Sequence, residues 1–164
     1  YPSRVDRLVL AGCPDFDEGT RERLREAKHP DRKPKLDGSH LLAWWQNRRR
    51  HATPLTSVEM VHRAAMAGLQ SLESWQKVHR WIEDQYMEEK LPRIQSPTLF
   101  ITGEHDITRG RLIAGVDLQE RHRSLLPKST PSETASISDA GGFATMEKPS
   151  EYARKVSDFL EKAL

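Results

Sequence analysis

The chain has 164 residues, 36% hydrophobic and 30% charged, with a net charge of +2, enough for one domain with its own core. Its charges are mixed in sign along the chain, so no nucleic-acid footprint is implied. No apolar run approaches the ~20 residues of a membrane span. No signal peptide is expected either, and the single cysteine, Cys13, excludes an internal disulfide framework and suits a reducing, cytoplasmic setting.

The first apolar segment, Val5 to Ala11, ends in Gly12-Cys13-Pro14 and is expected to be a buried strand with a sharp stop. It begins almost at residue 1, so a further segment is expected ahead of it. Residues 15–34 are very polar, with a short helix predicted over Thr20 to Ala27 before Pro30 and Pro34. Asp37-Gly38-Ser39 offers an N-cap to a helix carrying Leu41, Leu42, Trp44 and Trp45 on its apolar side. Arg48-Arg49-Arg50-His51 forms the solvated end of that helix, where cations suit the macrodipole. Thr56 or Ser57 caps the next helix, with Glu59 at capping-box spacing from Thr56 and Val58, Val61 and Ala65 at helical spacing. After Gly68 another helix is predicted from Leu72 to Glu89, its stripe formed by Leu72, Trp75, Val78, His79, Ile82 and Tyr86.

Residues Ser96 to Asp106, SPTLFITGEHD, are the most informative stretch. A proline opens it, Leu99-Phe100-Ile101 lies between β-branched threonines, and a Gly-x-x-Asp turn closes it. The pattern predicts a buried parallel strand that delivers the Asp106 carboxylate onto a loop at its C-terminal end. In open α/β sheets ligands bind there. A helix over Arg111 to Leu125 follows, with Leu112, Ile113, Val116 and Leu118 apolar. A short strand, Thr134 to Ser138, ends in Asp139-Ala140-Gly141-Gly142. The last helix opens at Pro149 and carries Tyr152, Val156, Phe159, Leu160 and Ala163 on one face. The order is α/β with a large helical insertion.

PTLFITGEHD, followed by ISDAGGFATMEKPSEYARKVSDFL, resembles the C-terminal part of the α/β-hydrolase fold, a doubly wound sheet with a helical cap insertion. The resemblance covers nearly the whole chain. It implies a core formed by residues 1–14 and 91–164 and a cap or lid formed by residues 15–90. RVDRLVLAGCP looks like the sixth strand, GEHD like the turn that carries the triad acid, and DAGGFATMEKP like the loop of the triad histidine. The resemblance therefore makes Asp106 the triad acid and residue 142 the position of the histidine, where this chain has glycine. Phe143, Glu147 and Pro149 still fit the pattern, which secures the register. The Gly-x-Ser-x-Gly elbow of the serine nucleophile is absent from the sequence.

A triad needs a hydroxyl, a base and a carboxylate. By this alignment only the carboxylate is present, so the chain alone cannot run Ser-His-Asp chemistry. Three explanations stand open: one piece of a hydrolase whose nucleophile lies on an N-terminal segment or companion chain, an introduced Gly142, or a natural non-catalytic binding protein. The function implied is a serine-type hydrolase cleaving an ester, lactone or related acyl bond, though the fold also hosts enzymes with an aspartate nucleophile. Trp44, Trp45, Phe143 and Cys13 are candidates to line a site for a hydrophobic small molecule. Asp139 and Glu147 are expected to fix loop geometry. His105, adjacent to Asp106, points to the opposite side of a strand end and makes a poor replacement base. His29, His40, His51, His62, His79 and His122 show no metal-ligand spacing, and no metal or organic cofactor is implied.

Overall fold

The computed structural model describes residues 4–26, 33–106 and 117–162. Three parallel strands form one sheet in the order β1 (Leu8–Ala11), β2 (Thr98–Gly103), β3 (Ser132–Ile137). β2 is central and buried at every residue, as a continuous apolar run between two neighbours requires. β1 is shorter than the predicted Val5 to Ala11. It is half-buried rather than buried, because among the described residues only β2 pairs with it. β3 begins two residues earlier than predicted and is largely polar on its outer positions.

Alternation along β2 divides the core. Leu99 and Ile101 pack with Ile137, Ala140, Ala144 and Phe159 on one face. Phe100 packs with Leu91 and Leu126 on the other. The first face is covered by α6 (Ala144–Glu147) and α7 (Pro149–Leu160). Proline opens α7, and Tyr152, Val156 and Phe159 turn inward, whereas Leu160 is exposed. The second face is covered by α4 (Met87–Lys90), the 3-10 turn Leu91–Arg93 and α5 (Leu118–Leu125). The Asp117 carboxylate caps α5 by accepting from the backbone N–H of Gln119 at 2.9 Å. The earlier part of the predicted 111–125 helix, with Leu112, Ile113 and Val116, lies outside the described residues, as does Ala163.

Between β1 and β2 run α1 (Glu18–Glu26), α2 (Ser39–Arg49) and α3 (Val58–Glu83). Asp37 accepts from the Ser39 N–H at 3.0 Å, and Gly38 takes the left-handed conformation at φ 70. Ser57, not Thr56, caps α3, accepting from the Met60 N–H at 3.2 Å. The helices predicted on either side of Gly68 are one helix, which ends at Glu83, short of the predicted Glu89; Tyr86 then lies just ahead of the separate α4. Gly68 does not interrupt it: the residue is buried against Trp44, whose indole carbon would stand 2.2 Å from a Cβ placed there. Glycine is present because the Trp44 ring needs its space, a requirement invisible to local propensity. Trp44 is fully enclosed, and its Nε1–H donates to the Ala65 carbonyl at 2.8 Å. Leu41 and Leu42, expected on the apolar side of α2, are exposed. So is Val78 on α3.

A buried ionic cluster ties the start of the insertion to α5. Asp15 is 1% exposed, and its Oδ2 accepts from Arg121 Nε at 2.7 Å. Arg21 and His122, each also 1% exposed, approach the same carboxylate at 3.8 and 3.7 Å. The Arg21 guanidinium stacks over the Tyr86 ring at 4.1 Å. Burial acts to raise the Asp15 carboxyl, but His122 and Arg121 beside it outweigh this and hold it below the ordinary carboxylate range. A carboxyl lowered on folding stabilises the protein above its unfolded pKa, and that stabilisation is lost as pH falls through the folded value. Asp15→Ala leaves buried charge without its partner and is expected to cost about 3–5 kcal/mol in urea unfolding at neutral pH. The same variant should lose less further stability than the parent when the titration is repeated below about pH 4.

Candidate active site

The C-terminal ends of β2 and β3 meet backbone to backbone. His105 N–H donates to the Ala140 carbonyl at 2.8 Å, and Glu104 N–H to that of Ile137 at 3.0 Å. The approach is so close that a Cβ on Gly103 would stand 2.3 Å from the Gly141 carbonyl oxygen. This contact brings Asp106 to the loop after β3. A Cβ placed on Gly142 would lie 3.8 Å from Asp106 Oδ1, and one placed on Gly12 would lie 3.9 Å from Asp106 Oδ2. The carboxylate therefore stands between the end of β1 and residue 142.

Gly141 and Gly142 differ in what they tolerate. A Cβ on Gly141 would meet Thr53 Cγ2 at 2.5 Å, so that residue is glycine for packing. At Gly142 the nearest atoms are 3.7 and 3.8 Å away, ordinary contact distance, and the residue is exposed. No steric demand explains the glycine at 142. The nearest atoms besides the Asp106 oxygen are Cβ and Nδ1 of His51, each at 3.7 Å.

His51 follows α2 in a turn that is fastened to this loop by Glu147. One Glu147 oxygen accepts from Thr53 Oγ1 at 2.9 Å and from Thr56 Oγ1, and the other accepts from the Gly141 N–H at 2.7 Å. Glu147 thus holds loop geometry and also docks the insertion. Asp139 supports the same loop from a left-handed conformation, φ 60, its N–H donating to Glu104 Oε2 at 3.0 Å. Phe143 is buried, with its ring edge-on to His51 at 6.4 Å and 72°.

No family model matches the sequence, and no curated protein matches it. Solved structures do. The chain superposes on a bromoperoxidase from Bacillus anthracis with a TM-score of 0.69 at 14% identity, covering 97% of this chain and 59% of that one. An enol-lactonase from Burkholderia xenovorans gives 0.64 at 14% identity, with coverages of 99% and 58%. A carboxylesterase from Bacillus subtilis gives 0.61 at 17%, with 99% and 54%. The chain has the fold of the C-terminal part of an α/β-hydrolase. It spans a little over half the length of these three structures.

Within this α/β-hydrolase fold the remaining candidate residues separate. Trp44 is enclosed between α2 and α3 and has no surface left for a substrate, whereas Trp45 is half-buried and tilted against His62 at 6.4 Å. His105 is exposed, its imidazole grouped with Glu104 and Asp139 on the surface; no second feature marks those three as an ion site. Cys13 lines a small crevice with Leu10, Phe100 and His122. Its thiol donates toward Met87 Sδ at 3.7 Å. Sequence reasoning placed His51 in a solvated basic run and missed its position at Gly142. The signal that could have found it is the Thr53, Thr56 and Glu147 set, three groups whose pairing requires the insertion to fold onto the loop.

Burial, with the Asp15 charge adding to it, pushes the Cys13 thiol up to about 11. The reactive thiolate is then scarce at pH 8. Iodoacetamide should alkylate native Cys13 about 10²-fold more slowly at pH 8 than the urea-unfolded chain, which follows from the shift away from an ordinary thiol. An equal rate in both states would remove the crevice described here. No helix of the described residues is long and apolar enough to cross a membrane.

Proposed function

We propose that this chain supplies the acid and the histidine-position loop of an acyl-bond hydrolase acting on an ester, lactone or related substrate. The observation that carries the reading is the placement of Asp106 Oδ1, 3.8 Å from where a side chain on residue 142 would begin. That placement supports the role of a carboxylate that orients a base at this position. Asp106 would hold an imidazole in one orientation and stabilise it when protonated. The nucleophile and oxyanion donors come from a segment or companion chain carrying a serine elbow, since these 164 residues contain none. The helices within 15–90 form a cap over the strand ends, and Trp45 and Phe143 favour a hydrophobic small molecule. A cytoplasmic setting is part of the same proposal, because a lone thiol suits a reducing compartment.

Fold alone does not choose the reaction, and esterase, lactonase and bromoperoxidase are the names of structures that share this one. A second reading, a binding protein that keeps the site without turnover, is favoured by one observation: residue 142 itself has no base to offer.

Intact-mass measurement of the protein isolated from its native source under non-denaturing conditions should show either a longer polypeptide that includes this sequence or a second polypeptide beside the 18.8 kDa chain, and the added sequence should contain Gly-x-Ser-x-Gly. Asp106→Asn should lower hydrolysis of p-nitrophenyl butyrate by the pair by about 10²-fold or more, because the base then loses the carboxylate that orients it. A lone 18.8 kDa species that stays folded and inert after Gly142→His would leave the binding protein.

A further inference from the structure

The loop that lacks a base is bordered by a histidine from another element. His51 Cβ and Nδ1 each lie 3.7 Å from the place where a Cβ on Gly142 would stand, and Asp106 Oδ1 lies 3.8 Å from that same place. The imidazole therefore borders the volume that a side chain on residue 142 would enter, beside the Asp106 carboxylate. It is held there. Its ring meets Phe143 edge-on. Its backbone N–H donates to the Arg48 carbonyl at 3.1 Å, closing α2. Two residues on, Thr53 is bound to the Glu147 carboxylate that also grips the Gly141 N–H. One carboxylate thus fixes both the turn that carries His51 and the loop that carries Gly142. His51 is half-buried while Gly142 is exposed, so the site stays open to a ligand.

We propose that His51 is the base of this site: its imidazole, oriented by Asp106, does the work of the side chain that residue 142 lacks. The inference rests on the acyl-hydrolase reading above. In that role one ring nitrogen faces Asp106. The other takes the proton of an attacking hydroxyl, from the serine of the nucleophile-bearing segment or from water, as the new C–O bond forms at the acyl carbon. The imidazolium then returns that proton to the leaving alcohol oxygen as the ester C–O bond breaks. One proton is taken and one is given, and nothing is oxidised or reduced. Glycine at 142 then has a purpose. A histidine there would begin in contact with the His51 ring, and glycine leaves the position open to a base arriving from the insertion.

Two measurements test this. The first uses the chain by itself, ¹⁵N-labelled, with the His51 ring nitrogens assigned from their absence in His51→Gln. Asp106→Asn should move both ring-nitrogen shifts, and the surface control Asp139→Asn should not. Ring nitrogens that ignore Asp106→Asn would overturn the proposal without any assay of turnover. The second uses the chain with its serine-bearing partner and p-nitrophenyl butyrate. His51→Gln should lower kcat by about 10²-fold or more, and adding Gly142→His to His51→Gln should bring it back, since either histidine would then serve Asp106. An unchanged kcat in His51→Gln alone overturns the role of His51 and leaves the acyl-hydrolase reading standing. No hydrolysis by any variant, Gly142→His included, overturns that reading and the base role with it, even where the ring nitrogens respond to Asp106.

Discussion

The site exists because two backbone turns approach more closely than side chains would allow. Gly103 ends β2, and the space of its missing Cβ is taken by the carbonyl oxygens of Gly141 and Ala140, 2.3 and 2.5 Å from where that carbon would be. No other residue permits this at the end of the central strand. The hydrogen bonds from Glu104 and His105 to Ile137 and Ala140 fasten the two strand ends together. Once they are fastened, Asp106 cannot be elsewhere than beside residue 142. The chemistry of the site is therefore set by a packing constraint three residues away from its carboxylate.

The helices between β1 and β2 are tied to this frame by three different kinds of force. The first is a buried charge cluster around Asp15, costly to desolvate and stable only while all its members are in place. The second is shape: one indole, Trp44, filling the space left by one glycine, Gly68. The third is the half-buried Glu147 clamp on Thr53, Thr56 and the Gly141 N–H. Only the third touches the site. It converts what would be a solvated helix end into the element that places His51 beside residue 142. Several apolar side chains of these helices, among them Leu41, Leu42, Val58 and Trp81, remain exposed, so apolar patterning alone does not dock them.

How much was legible depended on where each residue's determinants lie. β2 was plain because a strand buried on both faces must be a continuous apolar run, and Thr98 to Gly103 is buried throughout. β3 was harder to place, since SETASI turns polar side chains outward and takes its register from β2, not from its own composition. The continuity of α3 through Gly68 was misjudged because propensity penalises glycine in a helix, while the actual reason for the residue is a tryptophan 24 positions earlier. His51 was misjudged in the same way. Three arginines before it described its neighbours in sequence and nothing about its neighbours in space.

The sequence by itself determined the parallel α/β class, the strand that carries Asp106, the glycine at 142 and the absence of a serine elbow. These are properties of short runs, in which hydrophobic periodicity and turn chemistry act over a few residues. The tertiary structure alone decided which of its histidines borders residue 142, which glycine is forced by packing and which is not, and where Asp15 buries its charge. Each of those depends on contacts between segments far apart in the chain. Such contacts form only after the sheet is assembled and the insertion is clamped onto it.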